Sequence, residues 1–206
     1  MARTADPSSP TKRKLLEAAE RLILEKGFNA TTVDDICDCA GRTKGSFYYF
    51  FENKDELGKV VLEHAMERRR KMAEFAPYAK LTDPLDRIYG RIDFLIQTSR
   101  KMFQDQDIRA GSLIGNLAQE LAYTHPDIRS RCAEGLAQVT REMEVDLAGA
   151  KAKYAAESSI DPHGLAVSFV AITEGSFVVA KAQQNAKVIE SNLIHFKRYL
   201  KLLFEK

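Results

Sequence analysis

TTVDDICDCAGRTKGSFYYFF, residues 31–51, is the stretch on which the fold turns. Thr32 and Asp35 stand three apart, the spacing of a capping box, and predict a short helix to about Ala40. Val33, Ile36, Cys37 and Ala40 fall on one face of it. Gly41 stops that helix, and Thr43 is placed to cap a second, from Lys44 to about Phe51. Two short helices joined by Gly41-Arg42-Thr43 make a helix-turn-helix candidate. The second offers a cation (Lys44), a small residue (Gly45), a hydroxyl (Ser46) and two phenols (Tyr48, Tyr49) within two turns. Glycine in a helix costs on the order of 1 kcal/mol against alanine. Near a helix start it lets the backbone approach another surface closely, and a DNA backbone or base edge is such a surface.

The flanks agree. Upstream, Leu15, Ala18, Ala19, Leu22 and Ile23 recur at helical spacing over about 11–26, with Gly27 expected as a left-handed cap. Downstream, Asn53 with Glu56 opens a long helix that Pro77 must end. Asp83-Pro84, His125-Pro126 and Asp161-Pro162 read as further helix starts. Apolar stripes predict helices over about 84–103, 109–123, 126–155, 162–185 and 188–204, and nothing alternates like a strand. The expectation is an all-α chain of about nine helices. It comprises a flexible arm over 1–10, a three-helix DNA-binding head over 11–55, and a larger ligand-binding and dimerisation bundle over 56–206. The last two helices are apolar on more than one side, so something beyond their own bundle should cover them. A second copy is the expected cover, with Phe169, Gly175, Phe177, Phe196 and Leu200 at the interface.

Composition narrows the class. Of 206 residues, 45% are hydrophobic and 29% charged, which fits a folded globular chain. The net charge is +2, and residues 1–60 carry ten basic and ten acidic side chains, so any basic face must come from folding. No uninterrupted run of 18 apolar residues exists, and the reading excludes a membrane span. The first residues lack the apolar core of a secretory signal. Three cysteines build no disulfide framework, and a reducing cytoplasm is the expected compartment. Cys37 is expected inward, Cys39 and Cys132 more exposed. Arg68-Arg69-Arg70-Lys71 is read as a solvated face rather than a nucleic-acid patch. His64, His125, His163 and His195 have no partners at metal spacing, and neither metal nor cofactor is expected. No nucleophile elbow or phosphate loop appears, so the chain does not read as an enzyme.

Residues 11–60 resemble the DNA-binding domain of the TetR family of transcriptional regulators. The resemblance rests on Leu15-Leu16-Glu17-Ala18-Ala19, Gly27-Phe28, Thr31 to Ile36, Ala40-Gly41, Lys44 to Tyr48 and Phe51 to Leu57. It implies that Thr31, Thr32 and Lys54 hold phosphates, as does the phenol of Tyr48. It also implies that Lys44, Ser46 and Tyr49 face the major groove, and that Phe47 and Phe51 lie in the core. Arg42, where the family usually has an apolar residue, either adds a phosphate contact or is solvated. Gly111-Ser112-Leu113-Ile114-Gly115-Asn116-Leu117 is similar to a Gly-Cys-Leu-x-Gly-Asn-Leu pattern in one subgroup, some of whose members look like cysteine-based sensors of electrophiles. Here serine stands at the cysteine position. The resemblance further implies a homodimer on a near-palindromic duplex, acting as a repressor released by a small-molecule effector. A dimeric DNA-binding regulator without any such ligand is the alternative. An effector would lie among Phe94, Thr98, Asn116, Leu117, Glu120, Met143, Phe169 and Thr173, where polar groups interrupt apolar stripes. Structural hydrogen bonds would explain those polar groups equally well.

Overall fold

A computed structural model describes residues 9–104 and 111–204. Among them the chain forms nine α-helices and one short 3-10 turn, and no strand. The helices are α1 (Pro10–Lys26), α2 (Val33–Ala40), α3 (Lys44–Phe50), α4 (Lys54–Glu74), α5 (Pro84–Gln104), α6 (Leu113–Leu121), α7 (Pro126–Tyr154), α8 (Pro162–Gln183) and α9 (Lys187–Phe204), with the 3-10 turn at Pro77–Lys80. Pro84, Pro126 and Pro162 each begin a helix, because a missing N–H costs nothing where no helical acceptor precedes it. The Asp83 carboxylate accepts from the Leu85 and Asp86 amides at 2.8 and 3.1 Å.

Two boundaries differ from expectation. Residues 1–8 of the expected arm lie outside the described residues, but Pro10 already opens α1. Arg109 and Ala110 also lie outside them, and α6 starts at Leu113, where the Ser112 hydroxyl accepts the Gly115 amide at 3.1 Å.

The chain groups into two compact units. One runs up to Arg69 and includes Ser112–Ala133; the other holds Arg70–Gly111 and Glu134 onward. Beyond the expected 11–55 head, the first therefore holds α4 up to Arg69, α6 and the start of α7. Leu15, Ala19 and Ile23 of α1 are fully buried there, with Ile36, Phe47, Phe51, Leu57, Leu117 and Leu121. Within this unit α1 packs on α2, α3 and α6. Arg68 of α4 is bound through both terminal nitrogens to the Glu20 carboxylate of α1, so the basic run is not simply solvated. Cys37 is buried as expected, and burial beside Asp34 and Asp38 pushes its thiol up. Cys132 is buried too, contrary to expectation, while Cys39 is half-buried.

The second unit is cored by Ile88, Ile92, Met143, Leu147, Phe169, Leu193, Phe196 and Leu200. Of the five residues expected at a dimer face, Phe169, Phe196 and Leu200 are buried in their own chain's core. Phe177 is partly buried against the same core, and only Gly175 of the five is exposed. By length and composition α8 could cross a membrane, but Leu165, Ala166, Phe169, Ser176 and Ala180 along it are buried in the fold.

Candidate nucleic-acid interface

The interface is built from two caps. The Thr32 hydroxyl accepts the Asp35 amide at 3.1 Å, and the Asp35 carboxylate accepts the Thr32 amide at 2.8 Å, the reciprocal capping box read from the sequence. Lys26 reaches the same carboxylate at 2.7 Å, and this bond with those from Thr32 holds the Asp35 carboxyl well below the usual carboxylate range. Gly41 takes the left-handed conformation, φ 60° and ψ 46°, and turns the chain out of α2. The Thr43 hydroxyl then accepts the Ser46 amide at 3.2 Å and opens α3.

Seven residues of α3 divide into two faces. Phe47 is fully buried and packs on Phe51 with ring centroids 5.5 Å apart. These two rings anchor the helix from below. Tyr48 and Tyr49, 58% and 53% exposed, leave from the opposite side, with Thr43, Lys44 and Gly45 beside them. Ser46 is half-buried, its hydroxyl 3.2 Å from that of Thr43. Nothing inside the chain demands glycine at position 45, where a Cβ would meet only Thr43 Oγ1 at an ordinary 3.7 Å. Lys44 is not idle: its ammonium sits 2.8 Å from the Asp34 carboxylate of α2, and this bond raises the lysine pKa. Asp34, which sequence reading did not single out, is thus the immediate competitor for the cation expected to read DNA. Its one sequence signal was its place on the outer face of α2, one turn ahead of Cys37-Asp38.

Other expected phosphate ligands are engaged elsewhere. Thr31 is 1% exposed, and its hydroxyl donates to the Gly27 carbonyl at 2.7 Å. The Lys54 ammonium donates to the carbonyls of Phe28 and Thr31 at 3.1 Å each, and lies 4.6 Å from the centre of the Phe28 ring. Both residues hold the α1–α2 turn together, Thr31 from within it and Lys54 from 26 and 23 positions away, a tertiary role that no spacing could reveal. Arg42 folds back to its neighbour, donating to the Gly41 carbonyl at 2.8 Å. Thr32 is exposed beside its cap.

The residues expected around a ligand are drawn from both units. Asn116, Leu117 and Glu120 belong to the first unit; Phe94, Thr98, Met143, Phe169 and Thr173 belong to the second. Glu120 accepts the amides of Phe28 and Asn29 at 2.7 Å each. The hydroxyls of Thr98 and Thr173 donate to Phe94 and Phe169 carbonyls one turn back, both at 2.8 Å. Met143 and Phe169 are core residues, and Phe94 packs edge-on against Tyr78. Among the described residues no three His, Cys, Asp or Glu side chains are grouped as a metal ion would need.

Known proteins share this layout. A crystal structure of regulatory protein TetR from Rhodobacter sphaeroides superposes with a TM-score of 0.82 and 26% identity, over 92% of this chain and 98% of that one. The chain is 28% identical over 203 residues to an uncharacterised HTH-type transcriptional regulator in the lacX 3' region of Lactococcus lactis subsp. lactis, covering 95% of this chain and 94% of that protein. It is 25% identical over 195 residues to the HTH-type transcriptional repressor NemR of Escherichia coli K12, covering 92% and 94%. The family profile of bacterial regulatory proteins of the tetR family matches residues 15–60. A second profile, the C-terminal domain of LmrA/YxaF-like transcriptional regulators, matches residues 90–192. That second match alone spans half of the sequence, and with the first it leaves one assignment: the chain belongs to the TetR family of bacterial helix-turn-helix, DNA-binding transcriptional regulators.

Proposed function

We propose that the protein is a dimeric repressor that binds a near-palindromic duplex through the outer face of α3 and is released from it by a small molecule. The observation that carries the DNA half is the division of α3: Phe47 and Phe51 hold it down while Lys44, Gly45, Tyr48 and Tyr49 project from it. Gly45 has no internal reason to be glycine, which suits a backbone that meets an outside surface. Lys44 and Tyr49 read base edges, whereas Tyr48 and Thr32 position the protein on phosphates. In a bound dimer the two recognition helices lie roughly 34–36 Å apart, one turn of the duplex. Selection of duplexes from a randomised pool, followed by footprinting, tests this reading. Two related half-sites are expected, and Lys44→Ala and Tyr49→Ala should each weaken binding by about 1–3 kcal/mol and relax preference at one base position. A single asymmetric half-site would contradict it.

Repression is what the name of NemR says of that relative. The Ser99 hydroxyl on α5 is 4% exposed and has no hydrogen-bond partner among the described residues, a group that a bound molecule would satisfy. The ligand shifts DNA affinity only by its differential affinity for the two states of the dimer. A specific observation favours the alternative of a regulator without effector: Thr98 and Thr173 are already satisfied by their own helices. Thermal-shift screening of cationic, neutral and anionic compounds separates the two. A stabiliser that also weakens duplex binding supports release, and a screen without one supports the alternative.

A further inference from the structure

We propose that Glu120 is a positioning residue for DNA reading: its carboxylate holds the turn between α1 and α2, and through it the orientation of the α2–α3 pair. This rests on the DNA-binding reading of α3 and adds to it a residue outside the helix-turn-helix.

The backbone amides of Phe28 and Asn29, just past the end of α1, find no acceptor within that helix. Gly27 ends α1 at φ 89° and ψ 164°, a positive-φ extended conformation essentially restricted to glycine, rather than the left-handed cap expected. Its own amide still reaches the Ile23 carbonyl at 3.0 Å. A left-handed cap would have folded the next amides back onto the last helical carbonyls. The extended exit points them away instead. Glu120 of α6 meets both, Oε2 taking the Phe28 amide and Oε1 the Asn29 amide, each at 2.7 Å. These are charge-assisted bonds, roughly twice as strong as neutral ones. A Cβ at position 27 would stand 3.1 Å from Glu120 Oε2, so glycine there also makes room for the carboxylate.

The other polarity of the same turn is met by the opposite charge. Lys54 at the start of α4 takes the carbonyls of Phe28 and Thr31, and the Thr31 hydroxyl takes that of Gly27. The Phe28 ring is fully buried below, between the Lys54 ammonium and Gly58. An anion on the amides and a cation on the carbonyls thus fix a five-residue turn, and Thr32 of the α2 capping box follows it directly. A turn so short passes any change in its path straight to the helix it feeds. Loss of the carboxylate frees two amides to seek other partners and lets α2 and α3 change tilt, while the phosphate-facing side chains and their charges remain.

That separation defines the test. Full-length Glu120→Ala and the nearly isosteric Glu120→Gln are compared with wild type, using the duplex that wild type selects from a randomised pool and a scrambled duplex of equal length. Active fraction is set by stoichiometric titration, so that partial unfolding does not enter the affinity. For Glu120→Ala, affinity for the selected duplex is expected to fall at least tenfold, with scrambled-duplex affinity within twofold of wild type. Glu120→Gln keeps one acceptor and should lie between, and it carries the measurement if the alanine variant does not fold. In parallel, amide exchange at Phe28 and Asn29 should accelerate at least tenfold in Glu120→Ala. Wild-type discrimination in both variants, or unchanged exchange at both amides, overturns the proposal. Equal loss on both duplexes also overturns it, because a general structural role would do that. A wild-type protein that enriches no duplex would sink the DNA reading itself and this proposal with it.

Discussion

Gly58 and Asp34 show how a single residue carries a constraint that lies far from it in sequence. Gly58 sits in the first turns of α4, where alanine would ordinarily help a helix. A Cβ there would stand 2.7 Å from Cε2 of the Phe28 ring, which is buried and cannot move aside. Gly58→Ala should therefore destabilise the protein by about 1–3 kcal/mol, the cost of overpacking, despite the gain in helix propensity; urea unfolding measures it. Asp34 presents the opposite case, an exposed acid beside an exposed cation. Its ion pair with Lys44 is weak, because water screens both partners. In the proposed reading a base edge must win Lys44 from it. Asp34→Asn should tighten binding to the selected duplex by up to about fivefold and to a scrambled duplex by less, because the freed cation reads a base. Fluorescence anisotropy on matched and scrambled duplexes reads both quantities.

Among elements, α5 and α7 are joined by more than their apolar stripes. Arg87 donates through Nε to the Asp146 carboxylate at 2.9 Å, and Arg91 bonds Glu142 at 3.1 Å while its guanidinium lies over the Tyr78 ring. Asp146 is nearly buried, and Arg87 is about a third exposed. Removing one partner of a buried pair leaves the other charge uncompensated, a loss of roughly 3–5 kcal/mol. The partial exposure of Arg87 puts Asp146→Ala at the lower end, about 3 kcal/mol. Thermal unfolding should show it, and Asp146→Asn should recover part of it by keeping an acceptor. The apolar periodicity of both helices was legible, whereas a carboxylate and a guanidinium 59 positions apart leave no mark in either pattern.

The proposed dimer needs a face that the chain has not already used in its own core. On α8, Val167, Ala171, Gly175, Val178 and Ala182 are all exposed and recur at spacings of three and four, an apolar and small-residue stripe. On α9, Tyr199 and Leu202 are exposed. Gly175 faces open space, which permits close approach of another helix. For the proposed dimer, this stripe is the face we expect two copies to share as a four-helix interface. Val178→Glu combined with Leu202→Glu should give a folded monomer by sedimentation with its helical circular dichroism intact. Leu200→Lys should instead unfold the second unit, because Leu200 is fully buried in its core. A dimeric Val178→Glu, Leu202→Glu protein would place the interface elsewhere.

Local chemistry was enough for the existence of the helices, the N-caps of α2 and α3 and the outward face of α3. Thr32 with Asp35, Thr43 with Ser46, and each proline at a helix start act within four residues, a distance that sequence spacing measures directly. Apolar periodicity also found the buried stripes, since a helix fixes which positions share a face. It did not distinguish which of two partners a stripe meets. Phe169, Phe196 and Leu200 read equally well as core or as interface, and only packing assigned them to the core. The same holds for polar groups. Glu120, Lys54 and Thr31 look like ligand or phosphate contacts by position, yet each satisfies a backbone group of the turn after α1. Such pairing depends on the backbone path at Gly27, and a residue able to adopt almost any φ leaves that path open until the surrounding helices close on it.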